Sequence, residues 1–563
     1  MKAIQLDVSS IEYEPIEPEI GVHDNAEQKT TTIKDALVFL VALERGDTEA
    51  YASKAVKELV DFAAKQKIGN LVIYPFAHLS SNLEEPQRAM NLLDYMIKEA
   101  QKSKLKVYRA PFGWNKRLAF SAKGHPLAEM FKSYGDEKKE TAKKHERKVD
   151  TSIVRKSDFV GLPDTDHRII GERLNLFSFQ EVSPGMVYWH RNGLILYNQL
   201  TGLMRELLKK YGYEEISTPT LANLALWHVS GHIDHYKENM FVFESESEQM
   251  GMKPMNCPSS ILVYKSRKWS YRELPFRTST FDRLYRNEIS GALTGLFRVR
   301  EMTQDDGHIF VREDQVEQEL SNTLKLILEV YSIFGMKVKF KLSTMPDTHM
   351  GEEKVWEKAT TYLKNALESN KIKYVLKEKE GAFYGPKIDF DVTDSMGRDW
   401  QCATLQVDYQ EPARFRLSYT GEDGQEHPPV IIHRAVLGSL ERFAGVMIEH
   451  YQGKFPTWLA PVQVRILTIS EHANEYAYEV YEALKKEGIR VDADASDKTL
   501  DYKVRAAQVE KIPYMIVLGK KEMEGKKISV RSRSGKSKMG MTLQELIKLL
   551  NEEISSRKNE LAF

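Results

Sequence analysis

The sequence predicts a multidomain chain of α/β and α+β architecture, and three observations carry that expectation. Residues 1–135 alternate short apolar runs with amphipathic stretches. The long middle region carries strand-like segments separated by polar interruptions, the pattern of an antiparallel sheet with working loops. The last hundred residues return to simple strand–helix alternation. A chain of 563 residues has ample apolar material for several separate cores.

In order along the chain, AIQLDVS (3–9), ALVFLVAL (36–43), NLVIYPF (70–76) and LKVYRAP (105–111) read as strands. Residues 48–66 and 86–103 read as helices, so 1–135 is expected to be one compact α/β domain. YGDEKKETAKKHERKVD (134–150) is almost entirely charged and makes 136–165 the expected linker. A catalytic-sized domain, 166–458, follows. Its first long helix places Ile195, Leu196, Leu200, Leu203, Met204, Leu207 and Leu208 on one stripe, with Gly212 positioned to end it. In 459–563, VQVRILTIS, IRVDADA, PYMIVLG and KISVRSR alternate with helices, the last beginning near 542.

Lys plus Arg and Asp plus Glu both number 81, which excludes neither a nucleic acid nor an acidic ligand, because local patches decide such binding. The two cysteines argue against a disulfide framework and for a reducing, cytoplasmic setting. The N-terminal residues show no apolar signal region, and no run is long enough to span a bilayer, so no membrane partner is expected. There is no GxxxxGK[ST] loop, no GxGxxG after a strand and no CxxC. HVSGHIDH (228–235) imitates a metal cluster, but its glycine makes a continuous helix doubtful and favours a structural or substrate-side role for its histidines.

The most informative stretch is FDRLYRNEISGALTGLFRVREMTQDDGHIF, Phe281–Phe310. If its second arm is extended, Arg298, Arg300, Met302, Gln304, Asp306 and His308 share one face. Cations, an apolar patch, an amide, a carboxylate and an imidazole on one strand face describe neither a core nor a solvated surface. They describe a site.

Arg286-Asn287-Glu288 within its strand pair resembles motif 2 of class II aminoacyl-tRNA synthetases. The helix and strand ending at Pro219 resemble motif 1, and VIIHRAVLGSLERFAG (430–445) resembles motif 3. KPMNCPSS, TQDDGHIF, AFYGPKIDF, WQCATLQVD and IHRAVLGSLERF are together closely similar to threonyl-tRNA synthetases, from about 166 to the C-terminus. YPFAHLSS and KGHPLAE resemble the serine-editing domain of the archaeal members, itself similar to D-aminoacyl-tRNA deacylases. The resemblance implies a deacylase-like α/β domain, a class II antiparallel sheet with helices, and a C-terminal α/β anticodon-binding domain.

The resemblance also implies roles. Adenylate formation spreads charge over phosphate oxygens, which calls for fixed cations. Arg286 would grip the α-phosphate, Arg298 the triphosphate tail, Glu288 the adenine amino group, and Arg442 would stack on adenine as a planar cation. Met302 stands where the family usually has phenylalanine and would cover the other face of the ring. Gln401, Ser439 and Lys387 are further substrate-site positions, with Arg286, Arg442 and Lys387 the expected catalytic set. Gln304, Asp306, Tyr384 and Gln406 would hold threonine. Gln401 and Gln406 fall on opposite faces of a regular strand, so both reach the site only across a bulge. Cys257, His308 and His433 match the family's zinc ligands, one Zn2+ per subunit, and Mg2+ would enter with ATP.

A metal suits a threonine site because valine is isosteric with threonine, and an apolar pocket separates such isosteres only about a hundredfold. Serine lacks just one methyl, worth about 1–3 kcal/mol, so a serine-clearing domain is the expected companion. Its expected pocket residues are His78, Lys116 and Glu129, with Lys116 and Glu129 as an ion pair. The family often has tyrosine where Asn115 stands. Glu522 and Arg531 match anticodon-reading positions, and RSRSGKSK (531–538) is a candidate phosphate-binding stretch. The expected activity is that of a threonine–tRNA ligase with seryl-tRNA deacylation, and the expected partners are tRNA(Thr), ATP and L-threonine, in a homodimer. A regulatory synthetase-like protein, or a deacylase with an inert synthetase body, are the alternatives. Degenerate paralogues of the first kind usually lose motif 2 or 3 arginines or metal ligands, and all are present here.

Overall fold

The computed structural model describes residues 1–80, 82–124, 128–134 and 161–563, and it divides into two compact units, Met1–Arg147 and Lys148–Phe563. The expected linker at 136–165 lies, up to residue 160, outside the described residues.

In the first unit, strands β1 (Lys2–Pro18) and β2 (Thr31–Ala42), helix α1 (Glu49–Gln66), β3 (Asn70–Pro75), α2 (Pro86–Gln101) and β4 (Lys106–Arg109) are followed by β5 (Trp114–Ala122) and β6 (Glu129–Ser133). The sheet order is β4-β3-β2-β1-β5, with β2, β3 and β4 parallel. β2 is central, which explains its unbroken apolar run: Leu37, Phe39 and Val41 pack under the helices while Ala36, Val38 and Leu40 fill the opposite face. β1 is antiparallel to β2, and its other edge is shared, β6 pairing residues 2–6 and β5 residues 8–18. The alternation analysis misses β5 and β6, whose residues are largely half-buried or exposed and carry no apolar run.

In the second unit, after a short helix at His167–Arg173 and a small hairpin, α3 (Arg191–Lys210) buries the predicted stripe except the half-buried Ile195, and Gly212 follows it at φ +76°. After α4 (Cys257–Lys265) come β7 (Phe276–Thr280), β8 (Arg283–Tyr285), β9 (Glu301–Val311), α5 (Val316–Ile333), β10 (Lys337–Ser343), α6 (Glu353–Ser369), β11 (Tyr374–Lys377), β12 (Lys387–Thr393), β13 (Asp399–Asp408), β14 (Val430–Ser439) and α7 (Leu440–His450). They form a sheet in the order β11-β10-β12-β13-β14-β9-β7, antiparallel but for the edge pair β11–β10 and a short strand, Glu214–Glu215, that runs parallel to β7. Ile309, Val311, Leu405, Val407 and Ile432 join α5 and α7 in the main core. The alternate residues on the same strands, among them His308, Gln406 and His433, face the other way. Period-two alternation thus separates the core from the site.

Two irregularities interrupt the pairing. In β13 one extra residue, Cys402, stands between the pairs Asp391–Gln401 and Phe390–Ala403. In β14 the chain bulges between Ala435 and Ser439, opposite Asp306 and Gln304 of β9. The Asp305 carboxylate accepts from the amides of Val436, Leu437 and Gly438 at 3.1, 3.0 and 2.8 Å and holds that bulge. Its own carbonyl accepts from Arg434, whose guanidinium lies 3.5 Å from the carboxylate; both side chains are fully buried. Gly438 has φ +72°, and a Cβ there would meet the Cys402 carbonyl at 2.6 Å, so the two bulges interlock.

The last hundred residues build β15 (Val464–Thr468), α8 (Asn474–Lys486), β16 (Val491–Asp494), α9 (Leu500–Val509), β17 (Tyr514–Leu518), a short helix Lys520–Gly525, β18 (Ile528–Ser532), β19 (Ser537–Met541) and α10 (Leu543–Ser555). The sheet order is β16-β15-β17-β18-β19. Among the described residues no helix is long and apolar enough to cross a membrane.

Asp305→Ala should strand three buried amides and a buried guanidinium. A loss of about 3–5 kcal/mol in the second unit's unfolding free energy is expected, read by urea titration. Gly438→Ala should destabilise through the clash with Cys402 while leaving the Asp305–Arg434 pair intact.

Candidate functional site

The residues assigned to ATP by resemblance converge. Arg286, Glu288, Arg298, Met302, Gln401, Ser439 and Arg442 all line one cavity of about 470 Å3, with Gln304. β9 and β13 supply part of the lining, through Met302 and Gln304 and through Gln401 to Thr404, and the bulged end of β14 supplies another part. Ser439 caps α7, its hydroxyl accepting from the Arg442 amide at 3.2 Å, which fixes where that arginine leaves the helix. The buried Arg442 Nε has no protein partner, as expected of a cation aimed at a ligand. Arg298 and Glu288, both lining the cavity, are joined by an ion pair at 2.9 Å.

The extended arm is shorter than the sequence suggests. β9 begins at Glu301, so Arg298 and Arg300 belong to the preceding loop rather than to its face. Arg298 still lines the cavity, but Arg300 turns to the Glu288 carbonyl at 2.9 Å and to Ser290. Lys387 is not among the lining residues: its ammonium pairs with buried Asp389 at 2.9 Å, and Asp389 also accepts from Gln401 and Ser343. Asp389 therefore orients Gln401, a role that nothing in the spacing announces. Phe297 is a second wall residue that the sequence reading passes over.

Farther along β9 the face turns anionic and imidazole-rich. One ligand atom each from Cys257, His308 and His433 falls within a 4.8 Å cluster, all three residues buried. Cys257 opens α4, while His308 and His433 are direct partners across β9 and β14. Both nitrogens of His308 and the Nδ1 of His433 have no hydrogen-bond partner. Nε2 of His433 donates to Asp408 at 3.0 Å, which leaves Nδ1 as its lone pair for an electrophile. Burial first, then proximity to His433 and Arg434, pushes the His308 pKa well down, keeping it neutral. Burial, then Glu411, Asp306 and Asp408, pushes the Cys257 thiol well up. These acidic groups penalise a thiolate beside them, and a divalent cation would reverse that penalty. Donor type, orphaned nitrogens and charge all fit Zn2+.

The bulge at Cys402 lies between Gln401 and Gln406, which lets both face the site as the spacing requires. Gln406 accepts from the Tyr384 hydroxyl at 2.6 Å, and that ring is 5.4 Å from His433. Asp306 is held by Asn256 at 3.3 Å and by the Gly307 amide at 2.9 Å, and burial raises its pKa. HVSGHIDH is not a metal cluster among the described residues: Gly231, at φ +84°, separates two short helices, and the His232 ring nitrogens lie against Ser230 and Met255.

In the first unit His78 and Lys116 line a cavity of about 490 Å3, whose walls are Val41, Leu43, Phe76, Phe112 and Trp114, with Asn115 beside Lys116. The Lys116–Glu129 ion pair does not form. Lys116 pairs with Pro15 and Glu129 with Leu6 of β1, positions about 30 Å apart along an extended strand. Lys116 instead donates to the carbonyls of Pro111 and Trp114 at 2.9 and 2.8 Å, and Glu129 is exposed on β6. In the C-terminal region Glu522 accepts from the Gly519 amide and the Ser529 hydroxyl, while Arg531, two residues on from Ser529, lies on the same strand face. Within RSRSGKSK, Arg533 is spent on the carbonyls of Phe455, Lys511 and Lys454, so it is a structural strut and not a phosphate contact.

Residues 241–451 match the family of the tRNA synthetase class II core domain (G, H, P, S and T). Residues 1–134 match the Archaea-specific editing domain of threonyl-tRNA synthetase, and 463–553 an anticodon binding domain. Fold and cavity together define a class II tRNA synthetase core. A threonine–tRNA ligase of Thermotoga petrophila is 52% identical over 397 residues, 70% of this chain, which spans only 62% of that protein's length. The threonine–tRNA ligase catalytic subunit of Sulfurisphaera tokodaii is 50% identical over 396 residues, covering 70% of this chain and 73% of its own. A solved structure described as the RNA binding domain of threonyl-tRNA synthetase from Cryptosporidium parvum superposes with a TM-score of 0.67 at 41% identity, covering 70% of this chain and 99% of that one. The chain belongs to the threonine–tRNA ligase family.

Burial pushes the Lys116 amine down to about 8, from an ordinary value above 10. Below that pH it is the ammonium that donates to the two carbonyls; above it the neutral amine is free to react. Mass-spectrometric mapping of a small acylating reagent should therefore show half-maximal labelling of Lys116 near pH 8, with exposed lysines trailing by about two units.

Proposed function

We propose that this protein activates L-threonine with ATP, transfers it to the 3′ end of tRNA(Thr), and hydrolyses seryl-tRNA(Thr) in its N-terminal unit. The observation that carries this reading is the adjacency, on one strand face, of a cation-lined cavity and a buried Cys-His-His cluster. Threonine's carboxylate oxygen attacks the α-phosphorus of Mg2+-bound ATP, forming the P–O bond of the adenylate as the bond to pyrophosphate breaks. The terminal hydroxyl of tRNA then attacks the acyl carbon and AMP leaves.

Arg286 neutralises the α-phosphate, and Arg298 exchanges its Glu288 partner for the triphosphate tail. Glu288 is thereby freed for the adenine amino group, with Arg442 and Met302 covering the two faces of the ring. Gln401, fixed by Asp389, and Gln304 direct the carboxylate. Asp306 takes the hydrogen bond of the threonine hydroxyl, and Tyr384 with Gln406 faces the amine. Cys257, His308 and His433 would hold Zn2+, which when bound supplies an electrophilic position for the substrate's amine and hydroxyl together. Lys387 acts through Asp389 in this reading and not on the substrate.

The reading divides the chain into an editing domain (1–135), a linker (136–165), a catalytic domain (166–458) and an anticodon-binding domain (459–563), working as a cytoplasmic homodimer. Lys116 and His78 serve the editing cavity, and Glu522 and Arg531 face the anticodon. The apolar walls of the editing cavity support a small acyl substrate, with half-buried Lys116 the one lysine or arginine among its described lining residues.

ATP–pyrophosphate exchange with threonine, serine and valine tests the activation half. Expected is zinc-dependent exchange with threonine, serine weaker by about 10–200-fold, and valine down by about 10⁴ or more. No exchange with any amino acid in folded, zinc-loaded protein would sink the reading. Metal analysis is a separate check: Cys257→Ala should lose its bound zinc where the parent chain carries it.

A further inference from the structure

His167 is fully buried at the start of a short helix, His167–Arg173, far in sequence from every residue assigned above. Its ring has two partners. Nε2 lies 3.0 Å from the backbone nitrogen of Leu296, and an amide can only donate, so Nε2 is an acceptor. The ring proton is therefore on Nδ1, which donates to Glu449 Oε1 at 2.7 Å. Glu449 is fixed in turn by the His167 amide at 2.9 Å and by Arg398 at 2.6 Å. Asp166, His167 and Glu449 lie close enough to hold a cation, but both ring nitrogens are already engaged, so this is a hydrogen-bond relay and not a metal centre.

What the relay holds is the loop leading into β9. Gly295 has φ +50°, and a Cβ there would meet His167 Nε2 at 2.2 Å, so the loop is laid directly on the imidazole edge. The residue after Leu296 is Phe297, whose ring lies 4.1 Å from His167 and 4.4 Å from Trp400 and lines the 470 Å3 cavity. Arg298 follows immediately. Within the loop the Phe297 amide donates to the Thr294 carbonyl at 2.9 Å and the Thr294 amide to the Arg298 carbonyl at 3.2 Å, and the bond to His167 ties this turn, from which one apolar wall and one cation of the cavity project, to the buried relay.

We propose that His167, locked by Glu449 in the tautomer with Nδ1 protonated, is a positioning residue for nucleotide binding: it sets Phe297 and Arg298 through the Leu296 amide. The proposal rests on reading the cavity as the ATP site. Its chemistry separates two substitutions. The amide group of asparagine overlays the Nδ1 position, so His167→Asn keeps the donor to Glu449 and loses the acceptor for Leu296. That of glutamine overlays the Nε2 position, so His167→Gln keeps the acceptor.

The experiment compares the two variants in ATP–pyrophosphate exchange, with backbone amide exchange at Leu296 measured on the same full-length proteins. His167→Asn should raise KM for ATP about tenfold, the loss of one hydrogen bond, with KM for threonine within about twofold. His167→Gln should stay within about threefold of the parent for both substrates. Leu296 should lose amide protection in the asparagine variant and keep it in the glutamine variant. In a Phe297→Ala background, His167→Asn should add little, because the wall it sets is gone. Equal losses in both variants with a lowered melting temperature, or an unchanged KM for ATP in His167→Asn, would overturn the proposal. Should the parent chain show no exchange at all, the reading of the cavity fails, while Leu296 protection still decides whether His167 holds the loop.

Discussion

The carboxylate of Asp305 is the constraint on which the rest of the site depends. It sits on the core side of β9, fully buried, and accepts three successive backbone amides of β14. No side chain on the site face could bend β14 in this way without occupying the cavity. The bend lets His433 and Ala435 remain in register with β9 while Ser439, only a few residues on, is set back to cap α7 and aim Arg442. Burial pushes the Asp305 pKa up to about 6 even with Arg434 and three amides beside it. The group remains ionised at neutral pH, and its charge is what organises the bulge.

The interlock with β13 extends the same constraint to the next strand. Cys402 is the inserted residue, and its carbonyl approaches Gly438 so closely that no side chain fits between them. Without that insertion Gln401 and Gln406 would face opposite sides of the sheet. Three adjacent strands thus deliver polar side chains to one face, two of them, β13 and β14, from backbones that are irregular at different points. Such strain is held only where the surrounding core over-determines it, and here the core behind the sheet is dense: Ile309, Leu405, Val407, Ile432 and Val436 are at most 1% exposed.

Much of this was legible in the sequence, and for a physical reason. Period-two alternation reports faces without reference to partners, so Met302, Gln304, Asp306 and His308 could be read as one surface. The five-residue spacing of Gln401 and Gln406 demanded a bulge, and Cys402 supplies it. What alternation cannot report is pairing. Lys116 and Glu129 looked compatible as a charge pair, yet β5 and β6 attach to different halves of β1. Arg298 and Arg300 looked like two cations on the face because nothing local marks where extension begins. Phe297, Asp305, Asp389 and His167 act through contacts with residues distant in sequence, which no local spacing reports. Arg533 was misread for the complementary reason: a basic run is only solvated or ligand-facing if its backbone neighbourhood leaves it free.

On the proposed function, the two cavities differ in the physics of discrimination, and that difference would account for one chain carrying both. The catalytic face is charged and buried, with imidazole nitrogens that need an electrophile to complete them. Such a site rejects a substrate lacking a hydroxyl strongly, because its polar groups would be left unsatisfied. It has little hold on a substrate that keeps the hydroxyl and lacks a methyl, since one methyl is worth only about 1–3 kcal/mol. The N-terminal cavity is the opposite: aromatic and aliphatic walls around one desolvated ammonium, itself tied to backbone carbonyls. In the proposed editing role, apolar walls would set an upper limit on size, admitting a smaller acyl group and excluding a larger one. Polar completeness sorts by chemistry and apolar enclosure sorts by volume. Neither surface can be converted into the other without losing what it measures, so the sorting takes two folds.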